Sequence, residues 1–292
     1  MYRAYLSYDG GEVEVPELAP DSADGLYIDS GSGGIEGWRS APDLKVTLTE
    51  RGAGNGAHAV DASRILYSAR TVTLHLHAIG DSREAVLALM DAVQRSMGRP
   101  VRLRVVDGPE DTYADGYARV EWDSDRDCGP EQWQLGTLTV VCPDPRRRST
   151  SAHTLVLAPA TTAPGGLSYG DERIGLVYPL DYGAEASEAA NYGVIRNDGA
   201  APAYPVITVS GPMPGGVRVD CGTLSLVYPQ PISGVPLVLD CLSRTASIGG
   251  VDVTRNLTSR GFPSVPAGGS ATIVVLSVGS GWVSVESRDT YI

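Results

Sequence analysis

The sequence predicts a mainly β protein of two β-rich domains, with one helix confined to the first. Three observations predict it. Short runs of alternating apolar and polar residues recur along the whole chain, set apart by 35 glycines and 20 prolines. A single stretch, 82–97, repeats its apolar residues at helical spacing. Residues 142–151, CPDPRRRSTS, interrupt the alternation with two prolines and an arginine run, which places a domain junction there and divides the chain into 1–148 and 149–292.

The elements follow in order. Residues 1–20 open with a strand-like YRAYLSY and an acidic, proline-bearing stretch, and 21–41 read as a long loop. KVTLT at 45–49 alternates, with Val46 and Leu48 on one face, and 51–58 reads as a loop. ARTVTLHLHA at 69–78 is a half-buried strand, with Val72, Leu74 and Leu76 on one side and Thr71, Thr73, His75 and His77 on the other. The helix at 82–97 has Asp81 as its expected N-cap and Glu84 three residues on. Val86, Leu89, Met90, Val93 and Met97 form its apolar stripe, and Gly98 and Pro100 stop it. Strands resume at 101–106, 117–122 and 133–142. Beyond the junction, seven strands are expected at 154–157, 204–209, 217–220, 223–227, 235–240, 271–277 and 281–286. Turn residues separate them at short intervals, as in a β-sandwich or jelly roll.

Composition limits the function classes. With 23 Lys+Arg against 35 Asp+Glu, the net charge is −12, a poor starting point for gripping phosphates. The only basic run, Arg146-Arg147-Arg148, beside Asp144, reads as a solvated junction. Lys45 is the sole lysine, a bias that fits a GC-rich genome better than any folding demand. The start of the chain lacks the pattern of a cleaved secretory signal, and no apolar run reaches bilayer length. Cys128, Cys142, Cys221 and Cys241 form no CxxC pair. Pairing of Cys128 with Cys142 and of Cys221 with Cys241 stays open, against the buried free thiols expected of a chain assembled in a cytoplasm.

Motifs that carry chemistry are each matched by a plainer reading. His75 and His77 share a strand face, but His58 and His153 stand at no helpful spacing for a third ligand, so the pair reads as exposed strand residues. Asp123, Asp125 and Asp127 resemble the start of a calcium loop, but Cys128 and Gln134 occupy the places of its glycine and its glutamate. Gly31, Gly33, Gly34 and Gly37 lack the strand and helix of a dinucleotide loop. No GxSxG elbow or cysteine–histidine signal is present. Tyr169, Tyr178, Tyr182, Tyr192 and Tyr204 are expected to pin loops or fill a subunit interface rather than stack on sugars. No catalytic, cofactor or metal site is assigned, and the expectation is a protein that is not an enzyme.

The layout resembles the siphophage distal tail protein family. In the first domain the resemblance lies in ARTVTLHLHAIGD, the helix SREAVLALMDAVQ, the strand VRLRVV and the closing TVVCPDPRRRS. In the second it lies in NDGAAPAYPVITVSG (197–211), LVLDCLSRTASIGG (237–250) and GSGWVSVESRDTY (279–291). The order and spacing of these segments carry it. The resemblance implies a tail-tube-like β-sandwich or barrel with one flanking helix, followed by a peripheral galectin-like or carbohydrate-module-like β-sandwich. It implies a homohexameric ring at the virion tail tip, assembled in the bacterial host cytoplasm. Its partners would be the major tail tube protein on one side and the tail hub, tail-associated or fibre proteins on the other. DNA would pass through without specific binding, and no membrane or cofactor is involved. Fold alone does not fix function, so a glycan- or receptor-binding adsorption module is the alternative. Edge segments such as 45–49 and 71–78 are expected to supply the ring contacts, since a closed ring repeats one heterologous interface.

Overall fold

The computed structural model describes residues 2–20, 22–61, 65–123, 132–160 and 190–292. The chain forms two compact units, residues 1–151 together with 290–292, and residues 152–289. The first unit keeps three residues more than the junction at 148/149 expects, because Arg147–Ser149 is itself a strand that pairs within it.

The first unit comprises β1 (Tyr2–Tyr8), β2 (Gly11–Pro16), β3 (Gly25–Ile28), β4 (Ile35–Glu36), β5 (Arg70–Gly80), α1 (Arg83–Gln94), β6 (Pro100–Asp107), β7 (Glu110–Trp122), β8 (Gln132–Cys142) and β9 (Arg147–Ser149). A strand from the chain's end, Thr290–Tyr291, pairs with β9. The main sheet runs β2-β1-β6-β7-β8-β5-β3. A parallel bridge between Glu17 and Ile28 joins its two edges, so the sheet nearly closes into a barrel. Period-two alternation sends Leu6, Val72, Leu74, Leu76, Leu103, Leu138 and Val140 inward, and all are buried. The helix packs on β5, β8 and β3 through buried Val86 and Val93. Full burial of such side chains stabilises by about 1.5–3 kcal/mol each. Its N-cap is Ser82, whose Oγ accepts from the Ala85 N–H, and not Asp81. Asp81 is held one residue outside the helix, its own N–H donating to Asp24 Oδ2 at 3.0 Å.

The outer face of β6 and β7 carries matched charges. Arg102 donates from Nε to Asp115 at 2.7 Å, and Arg104 donates from Nε and Nη2 to the two oxygens of Asp111 at 2.8 and 2.6 Å. The Arg104 hydrogen bonds hold the Asp111 carboxyl below its ordinary value. Between the ordinary and the depressed value the unfolded chain binds the extra proton. The pair's stabilisation is therefore present at higher pH and is lost as pH falls through the depressed folded value. Asp111→Asn is expected to flatten the acid limb of a stability-versus-pH curve measured by urea unfolding; an unchanged limb contradicts this assignment.

The second unit is a sandwich of two antiparallel sheets. Its strands are β10 (His153–Leu157), β11 (Tyr192–Asn197), β12 (Val206–Ser210), β13 (Val217–Cys221), β14 (Leu224–Tyr228), β15 (Leu237–Asp240), β16 (Thr245–Ile248), β17 (Val251–Asp252), β18 (Ser259–Arg260), β19 (Gly269–Val275) and β20 (Trp282–Ser287), and the returning Thr290–Tyr291 is β21. One sheet is β10-β20-β12-β15-β16-β17 and the other β11-β19-β13-β14-β18. Ile195, Ile207, Val209, Leu226, Leu239, Ile273 and Val285 are among the residues that fill the space between them. The mainly β expectation, with a barrel-like first unit carrying one helix and a sandwich second unit, matches the structure. Asn197 gives the Asn-x-Gly stretch a structural role. It is fully buried, its Oδ1 accepts from the Gly199 N–H, and its Nδ2 donates to the carbonyls of Ala201, Val265 and Pro266.

Candidate assembly surface

Between β4 and β5 the chain leaves the barrel. From Arg39 to Ala69 no described residue is buried. The segment runs out and back as an antiparallel arm. The Ser68 N–H donates to the Asp43 carbonyl at 2.8 Å and the Lys45 N–H to the Leu66 carbonyl at 2.7 Å. Further out the His58 N–H donates to the Thr49 carbonyl at 2.9 Å, and the Arg51 N–H to the Gly56 carbonyl at 3.1 Å closes the tip. The strand expected at 45–49 is thus corrected. It has bridges at Leu44–Tyr67 and Glu50–Ala57 but no ladder between them. Alternation is a sound strand signal only where a core exists to receive the apolar face. Here Leu44, Leu48 and Leu66 stand 56, 60 and 62% exposed. The arm thus carries three exposed leucines and, among the described residues, no core of its own, a pattern that marks candidate interaction surfaces.

The arm's root is rigid. Gly37, at φ +77°, crosses β5 so closely that a Cβ would lie 2.2 Å from the Thr71 carbonyl oxygen. Trp38 is buried, and Arg39 pairs with Asp107 at 2.6 Å and Glu110 at 3.1 Å. Arg70, where the arm returns, is 1% exposed and clamps both ends of the excursion. Its Nη1 donates to the carbonyls of Gly37, Trp38 and Ser40 at 2.7, 2.9 and 2.7 Å, and its Nε donates to the Pro145 carbonyl at 2.8 Å. Burial, and then the charge of Arg147, push the Arg70 guanidinium down to about 10. Arg147 lies over the rings of Trp38 and Tyr291 at 5.6 and 5.7 Å. The arginine run is therefore not a solvated junction: Arg147 is buried, and Arg146 and Arg148 both pair with Asp144.

The other residues singled out by their motifs lie elsewhere. His75 is covered by Gly33 and has its Nε2 3.5 Å from Glu36, while His77 meets Trp133 edge-on, so the two imidazoles are partly covered by their neighbours rather than exposed. Gly31, Gly33 and Gly34 belong to the turn between β3 and β4, where Ser30–Ser32 forms one short 3-10 turn. Asp125, Asp127, Cys128, Tyr169, Tyr178 and Tyr182 lie outside the described residues. Cys142, Cys221 and Cys241 are free thiols. Tyr192 is exposed on β11, and Tyr204 packs against the sandwich core. The arm and its Arg70 clamp are not legible as a unit in the sequence, since the clamp joins one side chain to carbonyls 30 to 75 residues away.

No protein-family model matches this sequence, and no curated protein does. Solved structures match it along its whole length. The Dit (gp 19.1) protein of phage SPP1, described as a paradigm of the hub adsorption apparatus in phages infecting Gram-positive hosts, superposes with a TM-score of 0.63 at 12% identity, covering 99% of each chain. A chain of the phage p2 baseplate, in its activated conformation with Sr, superposes at 0.51 with 10% identity, covering 98% of each. The likeness to the SPP1 protein spans both units, so this chain shares the fold of that Dit protein from end to end.

Proposed function

We propose that the protein is a structural component of a phage tail tip, six copies of which form a ring at the distal end of a long non-contractile tail. The ring joins the tail tube to the hub and adsorption apparatus, with DNA passing through it, and is assembled in the host cytoplasm. The end-to-end likeness to the SPP1 hub protein carries this reading. The arm at 43–68 supplies what a ring needs, a protruding heterologous contact that a second copy covers. Native mass spectrometry of the full chain is expected to show six copies or an oligomer that converts to six. A closed dimer or tetramer that never converts would sink the ring.

One observation favours a second reading, adsorption to a host glycan. Trp282 is 53% exposed on the outer face of the sheet containing β10, β20 and β12, beside Ser210 on β12. A glycan array on the full chain tests it, with loss of any signal in Trp282→Ala as the expected mark of a real site.

A further inference from the structure

We infer that the second unit carries a binding site for a divalent transition-metal cation, built from His153, Asp198 and Asp289. The ligand atoms of these three side chains lie within 4.8 Å of one another. His153 Nε2 and Asp289 Oδ1 are 3.0 Å apart. Adjacent ligands on one ion with bonds of about 2.0–2.2 Å stand roughly 3–3.6 Å from each other, so this pair already has that separation. Asp198 brings a carboxylate oxygen to within 4.8 Å of the other two ligand atoms. That carboxylate is exposed and has no partner among the described residues, so it can turn onto an ion held by the pair.

The frame around the three is stiff. The backbone N–H of Asp198 donates to Asp289 Oδ1 at 2.7 Å. The preceding residue is the buried Asn197, whose four hydrogen bonds fix the turn that presents Asp198. His153 opens β10, paired in register with Ser287 of β20, two residues before Asp289. One neutral imidazole nitrogen and two carboxylate oxygens suit zinc or manganese, with water completing the shell. The chain enters the second unit at Ala152 and leaves it after Asp289. A bound ion therefore ties the unit's first strand to its last residue and stabilises the folded unit by mass action. The site does not depend on the tail-tip reading. Sequence spacing could not show it, because its members lie 45 and 91 residues apart along the chain.

The test uses the full chain, stripped with chelator and titrated calorimetrically with zinc chloride and manganese chloride. Native protein is expected to bind at least one of them at one ion per chain and to gain several degrees in thermal midpoint. Asp198→Asn keeps the backbone contact to Asp289 and the His153–Asp289 hydrogen bond, so it folds as the native chain does, and it is expected to bind at least tenfold more weakly. Binding of neither ion would show a structural His–Asp pair only. Equal binding by Asp198→Asn would place the ion elsewhere. Either result overturns the proposal.

Discussion

Changing Leu44, Leu48 and Leu66 together to serine is expected to abolish self-association while leaving the barrel as stable as before. These side chains stand more than half exposed and belong to neither core formed by the described residues. Covering them on a neighbour contributes roughly 1–2 kcal/mol each. Losing about 3–6 kcal/mol per contact weakens association at least about a hundredfold. In the separate subunit the same changes act on solvated positions, where substitutions ordinarily stay within about 0.5 kcal/mol. Sedimentation velocity reads the first effect and urea unfolding the second. Leu87→Ser, at an exposed site on α1, is the control and is expected to change neither. Normal assembly by the triple variant would remove the arm from the interface.

Arg70→Ala is expected to be the most damaging single change in the first unit, at about 3–4 kcal/mol. It removes a charged donor from four backbone carbonyls, three of them at the arm's root. Hydrogen bonds to charged groups are worth about 1.5–3 kcal/mol each, and relief of the buried charge returns part of the sum. Arg70→Lys is expected to recover less than half. Its ammonium stops one bond short of the Nη1 position, and it has no donor where Nε meets Pro145. Urea unfolding measures both, and limited trypsin digestion adds a local reading. Cleavage after Arg39, at the root, should appear in the alanine variant while the native chain is cut only further out on the arm. Equal stability of alanine, lysine and native forms would show that the clamp contributes nothing.

Much of the fold is legible in the sequence because its core obeys period two. β5, β6, β8 and most strands of the sandwich stand where apolar alternation meets turn residues. What escapes is set by contacts distant in sequence. β3 is four residues inside a glycine-rich stretch and exists because β5 offers it an edge. β4, two residues long, owes its place to the same edge. β11 and β16 are short strands whose flanking residues give no alternation long enough to read. The helix stands where its apolar stripe predicts it, but its cap is displaced by one residue. Asp81 and Ser82 are both good capping residues, and a hydrogen bond to distant Asp24 engages the first. Arg147 reads as solvated because a run of like charges usually is; Trp38 and the returning Tyr291 cover it. The leucines of 43–68 give a true apolar pattern whose complement is not found among the described residues. That is the physical reason the pattern misleads about secondary structure and yet points toward an interface.

Cryo-electron microscopy of virions that carry this protein shows directly whether the chain forms a ring and what its arm touches. The expected density is a closed ring of six copies at the end of the tail tube, with residues 43–68 of each copy laid on its neighbour and Leu44, Leu48 and Leu66 covered there. A tail tip in which this chain forms no ring, or a ring in which the arms stand free in solvent, would contradict the proposed role.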